Sequence, residues 1–197
     1  KGPMKMSKFI RQTLPLFATI LLLSLPYQAW AADKDYVLNT ASTGGTYHPV
    51  GTAIATLTKV KLLPKQKFSL TAVNSAGSGA NVQALGAGTA DFAILQGLYG
   101  SYAATGTGPI SEPQKNLRSV TMLWQNVEQF LVANEKVKSG TVSDLMGLKG
   151  QSAGMGKQNS GTLGSNKVLL SGLGIDIGSD YDLVYAGYGP TADALAN

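Results

Sequence analysis

The chain has no cysteine. That absence excludes disulfide frameworks, thiol nucleophiles, zinc ribbons, iron–sulfur ligation and a lipid-modified cysteine at a mature N-terminus. Histidine is nearly as scarce, with His48 the only one among 197 residues. A multi-histidine metal site cannot be assembled, and a Ser–His–Asp triad has one possible base. After Arg11 the only arginine is Arg118, so no bidentate guanidinium clamp for a carboxylate is available in the loops described below. Acidic residues are missing from the first 31 positions, which hold Lys1, Lys5, Lys8 and Arg11. The net charge of +5 therefore belongs mostly to the N-terminus, because twelve basic and eleven acidic residues follow it. A basic face for nucleic acid or an anionic membrane is not indicated.

What is present begins with a leader. Lys5, Lys8 and Arg11 form a positive region, Leu14 to Leu25 an apolar run, and Ala29-Trp30-Ala31 an A-x-A cleavage pattern. The run is about 12 residues, short of the roughly 20 that cross a bilayer. Residues 1–31 are expected to be a signal peptide cleaved after Ala31, giving a soluble periplasmic product with no direct membrane insertion. With 24 glycines and 14% charged residues, the remainder has the composition of a globular protein rich in tight loops.

Three units of strand, polar glycine loop and helix follow. Tyr36–Ala41 reads as a strand, Ser42 to Tyr47 as a glycine turn, and Val50, Ile54 and Leu57 keep helical spacing, with Pro49 suited to a first turn. Phe68–Asn74 alternates as a strand, and Ser75-Ala76-Gly77-Ser78-Gly79 then opens a helix carrying Val82 and Leu85. Asp91–Gln96 is apolar on both faces at its centre, as a parallel strand covered by helices would be. Leu98–Thr105 reads as a brief helix, and Val120–Trp124 and Gln129–Ala133 as two further strands. Val142–Leu148 is a helical turn and Gly150–Gly154 a short strand. The polar loop from Gly156 to Thr162 then precedes a helix with Leu163, Leu170 and Leu173. Leu183–Tyr185 is the last strand, and a helix starts at Thr191. This alternation is the signature of an α/β layer fold.

Each loop leaves the C-terminal end of a strand and enters a helix N-terminus, where unpaired N–H groups and the helix dipole favour an anion. In open α/β sheets these ends face the ligand crevice. Nucleotide motifs fail: Val82 stands where G-x-G-x-x-G needs glycine after Gly77-Ser78-Gly79, and Gln158 follows Gly156-Lys157 where a P-loop needs Ser or Thr. No G-x-S-x-G elbow occurs. A carboxylate suits such loops better than a nucleotide. Gln96, closing its strand, offers an amide to a ligand or to a neighbouring loop, and Tyr47, Tyr99, Tyr185 and Tyr188 offer cleft-lining rings or ordinary packing. His48 reads as a cap or rim residue and Asp91 as structural.

The run Ser42-Thr43-Gly44-Gly45-Thr46-Tyr47-His48-Pro49 resembles the first glycine loop of the TAXI-type solute receptors of TRAP transporters. Ser75 to Val82 resembles their second loop, Gly88-Thr89-Ala90-Asp91 through Gln96 the following G-x-A-D segment, and Asn159-Ser160-Gly161-Thr162 a loop of the second lobe. His48 stands where an aromatic is common in that family. The resemblance implies an α/β, two-lobe periplasmic-binding-protein-like (type II) fold, with a first lobe over 32–125 and a second over 126–197. Receptors of this kind are longer than the stretch after Ala31, since the chain returns to the first lobe, so a C-terminally truncated fragment is expected. The implied function is capture of a small organic acid, glutamate-like or dicarboxylate, and its delivery to TRAP permease subunits. Gly44, Gly45, Thr46, Tyr47, Ser75, Gly77, Ser78, Asn81, Gln96, Ser160, Gly161 and Thr162 are the implied contacts. Catalytic residues, metal, cofactor and nucleic acid are not expected. Two alternatives stand beside this: a periplasmic hydrolase using Ser78 or Ser160, and the ligand-sensing module of a membrane sensor.

Overall fold

The structure is a computed structural model and describes residues 33–196; the leader expected over 1–31 lies outside them. Strands β1 (Lys34–Asn39), β2 (Phe68–Val73) and β3 (Phe92–Ala93) form a parallel sheet in the order β2-β1-β3. Lys34 faces Phe68, Asn39 faces Val73, and Leu38 faces Phe92. Parallel neighbours need a crossover. Helix α1 (Tyr47–Leu57), a π-helical turn (Thr58–Leu62) and the short α2 (Leu63–Gln66) make the first, and α3 (Ser78–Gly86) makes the second. Lys67, left-handed at φ 55°, turns the chain from α2 into β2, and its amide closes on the Leu63 carbonyl. Leu38, Ala55, Leu70 and Ile94 are buried between sheet and α1, flanked by a ring cluster in which Tyr36 lies 5.2 Å from Phe68 and 6.0 Å from Phe92.

Helix α4 (Gly97–Thr105) follows β3 and packs Tyr99 and Ala103 against Val82 and Ile110. A second parallel pair, β4 (Ser152–Ala153) and β5 (Asp182–Leu183), is connected through α5 (Gly161–Ser171) and α6 (Ile177–Asp180), and α7 (Tyr188–Ala196) follows β5. Its core is Leu145, Met155, Leu170, Ile175, Ile177 and Tyr181. Tyr181 donates its hydroxyl to the Leu145 carbonyl at 2.6 Å, tying this core to a 3-10 segment (Val142–Leu148). Asp144 in that segment accepts from the amides of Lys138, Ser139 and Gly140 and from the Ser139 hydroxyl. Those donors, the Ser139 hydroxyl foremost, hold its carboxyl well below the usual range.

The α/β architecture expected from the sequence is therefore the one found. Its boundaries shift, and two elements fail to form. Residues 117–133 run without a ladder, so neither Val120–Trp124 nor Gln129–Ala133 is a strand. Apolar alternation supplies the side-chain pattern, but a strand also needs a neighbouring backbone edge. Here Val120, Met122, Val127 and Leu131 are exposed. The strand expected at Asp91–Gln96 shrinks to Phe92–Ala93, although the Asp91 and Ile94 amides still bond to the carbonyls of Val37 and Asn39.

Candidate functional site

The first glycine loop is a tight turn, with the Gly45 amide donating to the Ser42 carbonyl at 3.0 Å. Thr46 precedes α1 without a side-chain cap, which leaves the first-turn N–H groups to other acceptors. Gly44 and Gly45 lie flush against the start of α7. A Cβ on Gly45 would sit 3.0 Å from the Tyr188 ring, and one on Gly44 3.4 Å from the Gly189 nitrogen. His48 faces the sheet end instead. The one hydroxyl proton of buried Thr40 goes to the Val73 carbonyl at 2.8 Å, so His48 Nδ1–H donates to the Thr40 oxygen at 3.1 Å.

The second loop is built on side-chain bonds to the ends of the strands. Ser75 donates to the Thr40 carbonyl at 3.1 Å and accepts from the Gly77 amide at 3.0 Å. Gly77 has φ 123°, a conformation open to glycine and rare for other residues. Ser78 is buried at the start of α3, and its Oγ accepts from the Gln96 amide at 3.0 Å. Asn81 is fully buried; its Nδ2 donates to the carbonyls of Thr40 at 2.7 Å and Ile94 at 2.9 Å, while its Oδ1 has no partner among the described residues. Asn81 thus clamps α3 to β1 and to the end of β3.

The third loop meets the second directly. Asn159, left-handed at φ 59°, presents its carbonyl to the Ala80 amide at 3.0 Å. A Cβ on Gly79 would fall 2.7 Å from that carbonyl oxygen, and one on Gly161 2.8 Å from both Ser78 Oγ and Gln96 Oε1. Ser160 caps α5 by accepting from the Leu163 amide at 3.1 Å. The Thr162 hydroxyl meets the Tyr188 hydroxyl at 2.5 Å. The structure therefore brings all twelve sequence-derived residues into one neighbourhood, some as packing and capping groups rather than open donors. Ser78 and Ser160 are both committed to backbone amides, and His48 faces Thr40, so no nucleophile–base pair is assembled from them.

Two side chains of the ladder-free segment complete the neighbourhood, and no sequence motif had singled them out. Trp124 stands edge-on to Tyr47 with ring centroids 5.6 Å apart. Glu128 accepts from Gln96 Nε2 at 3.0 Å, while Gln96 Oε1 is buried without a partner among the described residues. Burial pushes the Tyr47 hydroxyl above its ordinary value; a bond with Ser78 opposes this, and Tyr188 and Glu128 add to it. Lys157 reaches the same region, its Cε 3.3 Å from where a Gly187 Cβ would lie, beside Ser42. The signal for Glu128 was an acidic residue in an otherwise apolar and amide-rich stretch. Of the other tyrosines weighed, Tyr99 packs in the α4 core against Gly164, and Tyr185 is exposed.

Open grooves of about 410 Å³ beside Lys167 and Asp176, and about 340 Å³ between Gln83 and Gln114, lie away from the loops. Among the described residues no cluster of three or more His, Cys, Asp or Glu could hold a metal ion, and no helix is long and apolar enough to cross a membrane. A family profile described as the NMT1-like family matches residues 38–197, and the chain belongs to that family. It is a periplasmic-binding-protein-like family related to extracytoplasmic solute receptors.

Proposed function

We propose that this member of the NMT1-like family is a TAXI-type receptor that captures a small organic acid, glutamate-like or dicarboxylate, and hands it to a TRAP permease. It would be exported by the leader, cleaved after Ala31, and would act in the periplasm. The observation that carries this reading is the convergence of three loops at the N-termini of α1, α3 and α5, with the second and third joined by the Ala80–Asn159 bond. Helix N-termini that point at one place favour a carboxylate without any arginine. In this reading 32–125 and 126–197 are two lobes. The residues from Gly44 to Tyr47, together with Ser75, Gly77, Ser78, Asn81 and Gln96, serve the first face, and Ser160 to Thr162 the second. Ligand bound to both faces would stabilise the closed arrangement by its differential affinity for it and expose a permease-facing surface.

Calorimetric titration of the full-length mature protein with glutamate, 2-oxoglutarate, succinate and a wider organic-acid panel is the test. Saturable binding of at least one acid, with one site per chain, is expected. Silence across the panel overturns the proposal.

A further inference from the structure

We infer that the end of the first crossover is a docking face for an anionic phospholipid surface, on which the protein adsorbs peripherally without inserting a span. This goes beyond the receptor reading and does not depend on what the loops bind. The near balance of twelve basic and eleven acidic residues after position 31 conceals an uneven distribution. Between Asp35 and Asp91 the chain has no acidic residue, and its only Lys or Arg residues there are Lys59, Lys61, Lys65 and Lys67.

Folding turns that run into a face. Leu57, Val60, Lys61, Pro64 and Lys65 keep the three-and-four spacing of one helical side and are all exposed, while Ala55 and Thr58 are buried. Leu57 and Val60 are 58% and 61% exposed, on the solvent side where an amphipathic helix ordinarily carries polar residues. A single exposed aliphatic residue is common. Two that share a face with lysines and no carboxylate have the pattern of a helix lying in a headgroup layer.

The charges on this face are largely unspent. Lys61 and Lys65 make no ion pair among the described residues. Lys67 pairs with Asp33 at 3.2 Å, and Lys59 donates to the Thr71 hydroxyl at 3.1 Å, beside Asp35. A second copy of the chain would set the same lysines against each other. Protein interfaces favour Arg, Trp and Tyr over Lys at their centres, and positions 53–67 contain none of the three. Lysine suits lipid instead, because its stem lies along apolar surface while its ammonium reaches phosphate, each such lysine adding about fivefold to adsorption.

The face is also clear of the loops. The crossover leaves β1 through the first glycine loop and ends at Lys67, whose carbonyl accepts from the Lys34 amide at 2.8 Å. It therefore lies with the starts of β1 and β2, at the other end of the sheet from the glycine loops that follow these strands. Adsorption through it leaves those loops open.

The test is flotation of the full-length mature protein with vesicles of phosphatidylcholine alone and of phosphatidylcholine with phosphatidylglycerol, at low and high salt. Adsorption to the anionic vesicles only, released by salt, is expected. The double variant Lys61→Gln/Lys65→Gln is expected to partition about twentyfold less. Leu57→Ser/Val60→Ser is expected to weaken adsorption at unchanged charge. Lys115→Gln/Lys167→Gln, which removes the same charge from exposed positions on other elements, is expected to stay within about twofold of the parent. All six substituted side chains are exposed, so thermal melts are expected to be unchanged. Equal partitioning onto both kinds of vesicle, no adsorption to either, or equal losses in the two lysine pairs overturns the inference. Binding of poly-glutamate that is lost in Lys61→Gln/Lys65→Gln, without vesicle adsorption, also overturns it and gives the face to an acidic protein. Organic-acid titration of the same variants reads the receptor proposal separately.

Discussion

At the scale of single residues, sequence position and chemical role part company. Asn81 lies in a loop-to-helix segment where an amide would suit a ligand; its Nδ2 is spent on the carbonyls of Thr40 and Ile94, and only its Oδ1 has no partner among the described residues. Gln96 occupies the expected strand end, but its partner, Glu128, comes from a stretch 32 residues further on. Asp144 shows how a surface carboxylate can organise a loop. Donors around it hold its folded-state carboxyl below the unfolded value near 3.9. Its contribution is therefore fully present above that value and is lost as pH falls through the lower, folded one. Asp144→Asn is expected to lower the melting temperature at pH 7 and to flatten the loss of stability below about pH 4. Thermal melts of both proteins across pH 2–7 check this, and parallel acid limbs would refute it.

At the scale of elements, the helices follow their apolar spacing, and a buried polar group stands where α1 changes its winding. Thr58 is buried at the start of the π-helical turn, donates to the Ala55 carbonyl at 2.8 Å, and accepts from the Leu70 amide at 2.9 Å. One hydroxyl thus joins the first crossover to β2. Thr58→Val keeps the shape but strands the Leu70 amide, an expected loss of about 1–3 kcal/mol in urea unfolding. Thr58→Ser, which keeps the hydroxyl, is expected to retain most of that difference. The strands were legible where a neighbour exists. Lys34–Asn39 and Phe68–Val73 appear within two residues of where their alternation places them. Val120–Trp124 alternates as well, yet among the described residues no edge meets it. Periodicity reports which faces are apolar, while hydrogen-bonded pairing depends on a partner that no local pattern encodes.

At the scale of the whole molecule, the decisive contact is between the second and third loops, where glycine lets two backbones touch. A Cβ at Gly79 would meet the Asn159 carbonyl oxygen at 2.7 Å and Tyr99 Cε1 at 3.0 Å, and neither can yield without moving a loop or a core ring. Gly79→Ala is expected to cost about 1–3 kcal/mol by overpacking, read as a lower urea midpoint. Gly100, in helix α4 with nothing within 4 Å of a built Cβ, is the internal control. Gly100→Ala is expected to be neutral or stabilising by up to about 1 kcal/mol. Equal losses in both variants would sink the packing argument.

The sequence by itself determined the α/β alternation, the three polar glycine loops before helices, the leader pattern and the absence of thiol or multi-histidine chemistry. Those follow from composition and from periods of two and 3.6 residues, which are local properties. Only the tertiary structure decided that the Gly77–Gly79 and Asn159–Gly161 backbones meet, that Tyr188 covers Gly45, and that Trp124 and Glu128 join Tyr47 and Gln96. The physical reason is that such contacts join residues tens of positions apart. Their partners are chosen by how crossovers stack on a sheet, so the charge that faces the loops could not be read from the loops themselves.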